Sequence, residues 1–507
     1  MPTLRARNAL LFVALALLGA CSDAGDSGFD PGPGPWDAGV ALPHVKQTSG
    51  DPERGRHQLL HGSFMSCGIP YKLYADPTIG PVVAAAFGPA SGGEPLPGRE
   101  GKNANLPHAL NAFTATDGAE VVNINCLICH GGHFDGDLVI GLGNASADFT
   151  DGIAGGAKPP PIPDPVLDAL GLTPAEKDNF KRILRVVNVV GPETEMHTVG
   201  MNPAEALTGV VLSHHQRDLT WSDTPLLDYT MRDEHGAPIP GARLTSDPPP
   251  WWRVHKKDAL FYNGMARGQH RGTMALATSV CVEDETEAAR IDAIFGDIHA
   301  FVGTVRPPRY KRPVDAALAH DGKQVFLDNC AGCHGTYADD PQDDAHDTYP
   351  NLLIPLSVVG TDAAVANLGV VHAPQLIDWY NDTFYGSITP LAPNDPFPGY
   401  MPPPLDGIWA TAPYLHNGSV PSVELLLDSR KRPRYWKRVD FDSTNFDEEA
   451  LGWPWVEVSY PQAEAPDAER KFIYDTTLWS QGNYGHSFGD HLSDVERRAV
   501  IEYLKTL

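Results

Sequence analysis

The pentapeptide Cys-x-x-Cys-His occurs twice in this chain, as Cys126-Leu127-Ile128-Cys129-His130 and as Cys330-Ala331-Gly332-Cys333-His334. Cysteines at i and i+3 stand about one helical turn apart, so both thiols can reach one edge of a flat macrocycle while the next residue turns its imidazole toward the centre. That arrangement suits covalent haem attachment, with two thioethers to the porphyrin vinyl groups and a histidine beneath the iron. The competing uses of the spacing fit less well. A structural zinc site needs four closed N/S ligands, usually from paired Cys-x-x-Cys units close in sequence, and a dithiol redox pair does not require the following histidine twice. The expectation is two covalently bound c-type haems (iron), attached at Cys126, Cys129, Cys330 and Cys333, with His130 and His334 as proximal ligands.

Three of the seven cysteines remain, and the first belongs to an address. Arg5 and Arg7 precede an apolar run over 10–18 that is too short to span a bilayer, and Leu18-Gly19-Ala20-Cys21 resembles a bacterial lipobox. This implies cleavage before Cys21, lipidation of its thiol, and a periplasmic or outer-membrane lipoprotein held to the membrane by its N-terminal lipid only. A Gly-, Asp- and Pro-rich stretch then reads as a flexible tether. Cys67 and Cys281 are left without a haem or a lipid. In an oxidising compartment they either pair as a disulfide or stay buried as free thiols, and the sequence leaves both open.

A formal charge of −26 excludes nucleic acid as a partner, because phosphate binding needs the opposite sign, and would steer a basic electron-transfer protein. The chain is long enough for two or three cores, and its 47 prolines and 49 glycines predict many loops. The expected fold is mainly α: two cytochrome c-type haem domains with long loops and a helical middle segment. The boundaries are a signal peptide over 1–20, a tether over 21–47, an N-terminal haem domain over 48–150, a middle segment over 151–312 covering the first haem, and a C-terminal haem domain over 313–507.

Local signals support this outline. Asp51-Pro52-Glu53 reads as a helix start, and 177–190 and 286–301 are amphipathic. Gly322, Phe326 and Cys330 have the Gly-x3-Phe-x3-Cys spacing of the first helix of small c-type cytochromes, where the glycine lets another helix cross closely. Ser493 with Glu496 forms a capping box for the closing helix. The aromatic and basic cluster over 251–257, followed by Leu260-Phe261-Tyr262, reads as a wall above the first haem, with Trp252 and Phe261 as candidate catalytic-pocket residues beside His130. Filling of the core by these aromatics is the other reading. The glycines of 141–143 lack the flanking strand and helix of a nucleotide loop.

The blocks Ser66-Cys67-Gly68-Ile69-Pro70-Tyr71, Asn125 through Gly132, Val139 through Asn144, Pro404 through Pro421 and Gly485-His486 resemble the bacterial di-haem rubber oxygenases and their relatives, within the wider di-haem cytochrome c peroxidase superfamily. The resemblance implies a first haem, on His130, that activates dioxygen or hydrogen peroxide. It implies a second, on His334, closed by His486 and confined to electron transfer. The chain departs from the family at Tyr400-Met401-Pro402-Pro403-Pro404, where relatives carry Tyr-Lys-x-Arg, and it is shorter than the polymer-cleaving enzymes, which points away from rubber as substrate. Met401, in the Met-Pro context of an axial methionine, competes with His486 for the second iron. The functional expectation is a haem oxidoreductase, oxygenase-like or peroxidase-like. The alternative is a pure electron-transfer di-haem cytochrome of an outer-membrane respiratory chain.

Overall fold

Asp51 accepts hydrogen bonds from the backbone N–H groups of Glu53 and Arg54 and starts the helix Pro52–His61, as the Asp-Pro signal predicts. The computed structural model describes residues 30–507, so the signal peptide and Cys21 lie outside the described residues. The Pro52–His61 helix packs on Glu285–Val302, where Gly55 lets the Asp297 carbonyl approach to a distance no Cβ would allow. Thr173 and Glu176 form a reciprocal capping box on Pro174–Val189. The two predicted helices of the middle segment are therefore present with nearly the expected ends.

The crossing predicted from Gly322 is also present. Ala316–Asn329, which carries Gly322 and Phe326 and leads into the second pentad, crosses the closing helix Asp494–Leu504, whose Ser493/Glu496 capping box is formed. A Cβ at Gly322 would sit 1.8 Å from the Ala499 carbonyl oxygen. Because that obstacle is backbone, Gly322→Ala is expected to force the helices apart and destabilise the protein by about 3 kcal/mol. Chemical denaturation of the holoprotein reads this, and a variant within ~0.5 kcal/mol of wild type would refute the tight crossing.

The fold as a whole is not mainly α. Helix accounts for 36% and strand for 12% of the described residues. Three three-stranded sheets and a hairpin are distributed along the chain: 69–70/120–124/110–114, 40–41/352–355/399–400, 455–457/435–438/473–475, and 131–134/137–140. Residues 31–507 form one compact unit, with no visible division into two α-helical haem domains and a helical middle. The physical reason is strand length. These strands run only two to five residues, too short for a period-two pattern to stand out from loops. The stretch expected as tether is likewise partly packed: Trp36 is buried against Gly332 of the second pentad, and Val40–Ala41 pairs with Leu352–Leu353.

Cys67 and Cys281 are joined by a disulfide that closes 214 residues of chain and ties the start of the first haem-binding region to the middle segment. Both are fully buried, and Asn123 Nδ2 donates to the Cys67 carbonyl at 2.7 Å. Replacing both by serine is expected to cost about 2–4 kcal/mol, chiefly by freeing the unfolded chain. Alkylation of the denatured, unreduced protein should label neither cysteine, and labelling of both would contradict the bridge. Among the described residues no helix is long and apolar enough to cross a membrane.

Candidate functional site

The first pentad is delivered by a strand. Glu120–Ile124 pairs antiparallel with Leu110–Thr114, and Asn125 then ends the strand by bonding in three directions. Its Nδ2 donates to the His108 carbonyl at 2.9 Å and to Asn111 Oδ1 at 2.8 Å, while its Oδ1 accepts Leu127 N–H at 2.8 Å. This starts the single helical turn Leu127–His130. The chain returns through the 131–140 hairpin, and Asn144 accepts the role of clamp: its N–H donates to the Cys129 carbonyl at 2.8 Å and its Nδ2 to the Ile128 carbonyl at 3.1 Å. The glycines of 141–143 thus serve the pentad.

His130 Nδ1 lies 3.1 Å from the Pro249 carbonyl, and its ring stacks on Trp251 at 4.7 Å. An imidazole donating through Nδ1 is fixed in the tautomer that leaves the Nε2 lone pair free for a metal. His334 repeats the device, with Nδ1 2.9 Å from the Pro403 carbonyl. Each acceptor is the middle residue of a Pro-Pro-Pro run, 248–250 and 402–404. A triple proline has no N–H groups and a stiff extended backbone, so it offers a carbonyl at a well-defined position. The sequence contained this repeat, and it is the signal by which both orienting groups could have been found.

The second pentad follows the Ala316–Asn329 helix directly. Tyr337 Oη donates to the His334 carbonyl at 2.8 Å and accepts Leu405 N–H at 2.7 Å, locking the pentad to the 402–407 segment. The His486 ring faces that of His334 at 6.4 Å between centroids, inclined by 61°. Two imidazoles on opposite sides of one metal, each bond about 2 Å long, separate their centroids by roughly this much. Buried His486 Nδ1 has no hydrogen-bond partner among the described residues. Met401, the rival ligand, is packed instead with Leu42, Ala259 and Leu353.

The four pentad cysteines are free of disulfides and retain accessible surface, yet burial pushes the Cys126, Cys129 and Cys330 thiols up to about 12 and Cys333 to about 11. Thiols surrounded by protein and unpaired with one another suit a fate as thioethers. Lys257 adds a second test. It is enclosed, desolvation lowers its ammonium to about 8, and its amine makes no hydrogen bond or ion pair among the described residues; His130 and His270 are lowered chiefly by their own burial, with the Lys257 charge adding to it. A buried amine without a partner is costly. A haem brings two groups that would satisfy it, a propionate carboxylate and the iron, so the residues present fit the group. Nearby, Glu205 bonds Ser246 Oγ at 2.7 Å and interacts with Cys129, and Asp247 pairs with Tyr262; burial raises both carboxyls, Asp247 well above the usual range.

Trp252, expected above the first haem, turns the other way. Its indole N–H donates to the Asp406 carbonyl and its ring lies against Gly407, so Trp251 is the neighbour that meets His130. Arg253, at φ 62°, turns the chain here, and periodicity does not tell which of two adjacent tryptophans faces inward. Phe261 stands in a left-handed turn, φ 65°, with its carbonyl accepting Gly264 N–H; among the described residues no hydrogen bond or ring contact links it to His130. His416, in the most family-specific block, is buried and stacked on Tyr400 at 4.1 Å. Tyr400 Oη, 3.1 Å from His416 Nε2, donates to the Asp362 carbonyl at 2.6 Å, so Nε2 must carry the proton.

A buried ionic clasp joins the two surroundings. Arg253 donates through Nε to Asp406 at 2.8 Å, through Nη1 to Asp344 at 2.7 Å and through Nη2 to the Pro341 carbonyl at 2.6 Å. Lys256 bridges Asp347 at 2.6 Å and Asp406 at 2.9 Å. The segment bearing Trp251 is thereby tied to the one bearing Pro403.

Residues 399–437 match a family model described as RoxA-like, cytochrome c-like. The matched segment contains Tyr400, Pro403, Asp406 and His416. The chain is 28% identical to uncharacterized protein y4iJ of Sinorhizobium fredii (strain NBRC 101917 / NGR234) over 41% of its own length and 42% of the relative's. It is 26% identical to uncharacterized protein y4iM of the same strain, over 53% of this chain and 66% of that one. The chain thus matches less than two thirds of the length of either relative. The RoxA-like segment supports a rubber-oxygenase-like cytochrome c, with covalently bound c-type haem and electron-transferring, oxidoreductase character.

Proposed function

We propose that the protein is a di-haem oxidoreductase in which the His130 haem reacts with dioxygen or hydrogen peroxide and the His334 haem, closed by His486, stores or supplies an electron. The observation carrying this reading is an asymmetry. His334 is faced by a second imidazole at 6.4 Å, whereas the ring packed on His130 is the indole of Trp251. A haem with an open axial position supplies ligand chemistry, and one with two histidine ligands is confined to passing electrons.

The chain's own residues do the rest. The Pro249 and Pro403 carbonyls hold the two proximal imidazoles in the metal-binding tautomer and raise their basicity. Trp251 covers one side of His130 and limits water there. Asp247, its carboxyl favoured in the protonated form, is a proton-holding group near the first pentad. The reading carries with it export, lipid attachment at Cys21, and a basic electron-transfer partner drawn by the acidic surface.

One observation favours the second reading, a pure electron-transfer cytochrome: the charge of Lys257, an amine with no hydrogen bond or ion pair among the described residues, acts on His130, which makes that amine a candidate for the first iron's remaining position. Electron paramagnetic resonance of the oxidised holoprotein and carbon monoxide binding by the reduced one separate the two. The enzyme reading expects one low-spin haem that ignores carbon monoxide and one haem that binds it, with peroxide or oxygen consumed. Two low-spin, unreactive haems would leave only the wire.

A further inference from the structure

His486 does not occupy a relaxed backbone. Its φ is 42°, in the left-handed region that β-carbon-bearing residues avoid, and Gly485 before it has φ 74° with the Gly360 carbonyl carbon 2.2 Å from where a Cβ would lie. The His486 N–H donates to the Val359 carbonyl at 2.7 Å and ties the end of the bend to the body.

Asn483 Nδ2 donates to the Pro433 carbonyl at 2.8 Å and Tyr484 Oη to Asp362 at 3.5 Å, but the main-chain carbonyls of the bend are gathered by one side chain. Arg432 spends all five of its guanidinium donors on backbone carbonyls. Nη1 donates to Asn483 and to Gly485, each at 2.7 Å, and Nη2 to His486 at 3.1 Å. Nε reaches Leu425 at 3.0 Å and Nη2 also reaches Leu426 at 3.0 Å, which anchors the guanidinium to the Val423–Leu427 helix. Three of the five acceptors belong to the four-residue bend that ends at His486. No other residue makes this set of contacts among the described residues, and a planar fork of five donors is a property lysine lacks.

We propose that Arg432 is the positioning residue for the sixth ligand of the second haem: by bracing the 483–486 bend in its left-handed course, it holds the His486 imidazole opposite His334. This rests on the reading that His486 closes that haem. Without the brace the bend can relax toward ordinary backbone, and the imidazole swings away from the metal. Arg432 bonds backbone carbonyls and acts through the bend they belong to. Its effect is on whether the second iron has one protein ligand or two, five ligands in all or six.

The test uses full-length holoprotein and compares Arg432→Ala, Arg432→Lys and His486→Ala with wild type, by electron paramagnetic resonance of the oxidised form and carbon monoxide titration of the reduced form. Arg432→Ala is expected to gain a high-spin signal and to raise the carbon monoxide bound per chain roughly twofold, approaching His486→Ala. Arg432→Lys, which keeps the charge but loses the fork, should fall between. If Arg432→Ala does not accumulate as holoprotein, Arg432→Lys decides: a wild-type spectrum and wild-type carbon monoxide binding overturn the proposal. An open second haem in His486→Ala with no change in either Arg432 variant also overturns it while leaving the ligand assignment standing. A His486→Ala protein that keeps its low-spin signal removes the ligand assignment and the proposal together.

Discussion

Replacing Cys126 and Cys129 together by alanine is expected to halve the covalently bound haem, from two per chain to one, and to abolish reaction with dioxygen or peroxide while leaving a low-spin haem behind. The two pentads are independently built. The first is presented by the end of a strand and braced by Asn125 and Asn144, the second by the end of a helix and braced by Tyr337. Their histidines take separate proline carbonyls. Loss of one attachment site therefore leaves the other intact. The complementary pair, Cys330→Ala with Cys333→Ala, should also lose one haem but keep the one that binds carbon monoxide. Haem content by alkaline pyridine spectroscopy, normalised to protein, reads both. Full haem content in either double variant would show that the altered pentad does not attach the cofactor, and the di-haem reading would fall.

What could be read from the sequence was short-range. The pentads, the Asp51 cap, the Ser493/Glu496 box and the Gly322-Phe326-Cys330 spacing that signals the crossing involve residues within a turn or two of each other, where spacing carries the physics. The sheets were hidden because pairs such as Ile69–Pro70 with Val121–Val122 are brief and bring together distant stretches whose edges look like loop. At the site, Trp251 rather than the expected Trp252 lies against His130, and the left-handed turn at Arg253 beside them is made by a β-carbon-bearing residue with no glycine to announce it. The two triple-proline runs were visible, but their carbonyls acquire meaning only once each lies against an imidazole more than sixty residues away in sequence. Arg432 gave no signal at all, since its five acceptors are main-chain atoms that any sequence would supply.

The clasp at Asp406 carries a large expected cost in stability. Asp406→Ala should destabilise the holoprotein by about 3–5 kcal/mol, because it strands part of two buried cations rather than removing a surface pair. Arg253 is wholly buried and Lys256 nearly so. Arg253 would lose its Nε partner and keep Asp344, and Lys256 would keep Asp347, so the penalty belongs near the lower end. Exposure makes the contrast measurable within the same protein: Lys323→Ala, which breaks an ion pair with the almost fully exposed Asp339, should cost less than about 1 kcal/mol. Salt separates them further. Screening at 1 M acts over about 3 Å in water, so the surface pair's contribution should vanish while the Asp406 penalty persists. Replacing both sides of the clasp with apolar residues, Arg253→Met with Asp406→Leu, should recover part of the loss relative to Asp406→Ala, because no charge is then left without a counterpart. Since the clasp ties the segment bearing Trp251 to the segment bearing Pro403, Asp406→Ala should also shift the visible spectra of both haems. Denaturant midpoints in low and high salt, taken with haem spectra, test the whole chain of reasoning. An Asp406→Ala protein within ~0.5 kcal/mol of wild type, with unchanged spectra, would mean that the buried charges are stabilised elsewhere and that the two haem surroundings are not joined through this carboxylate.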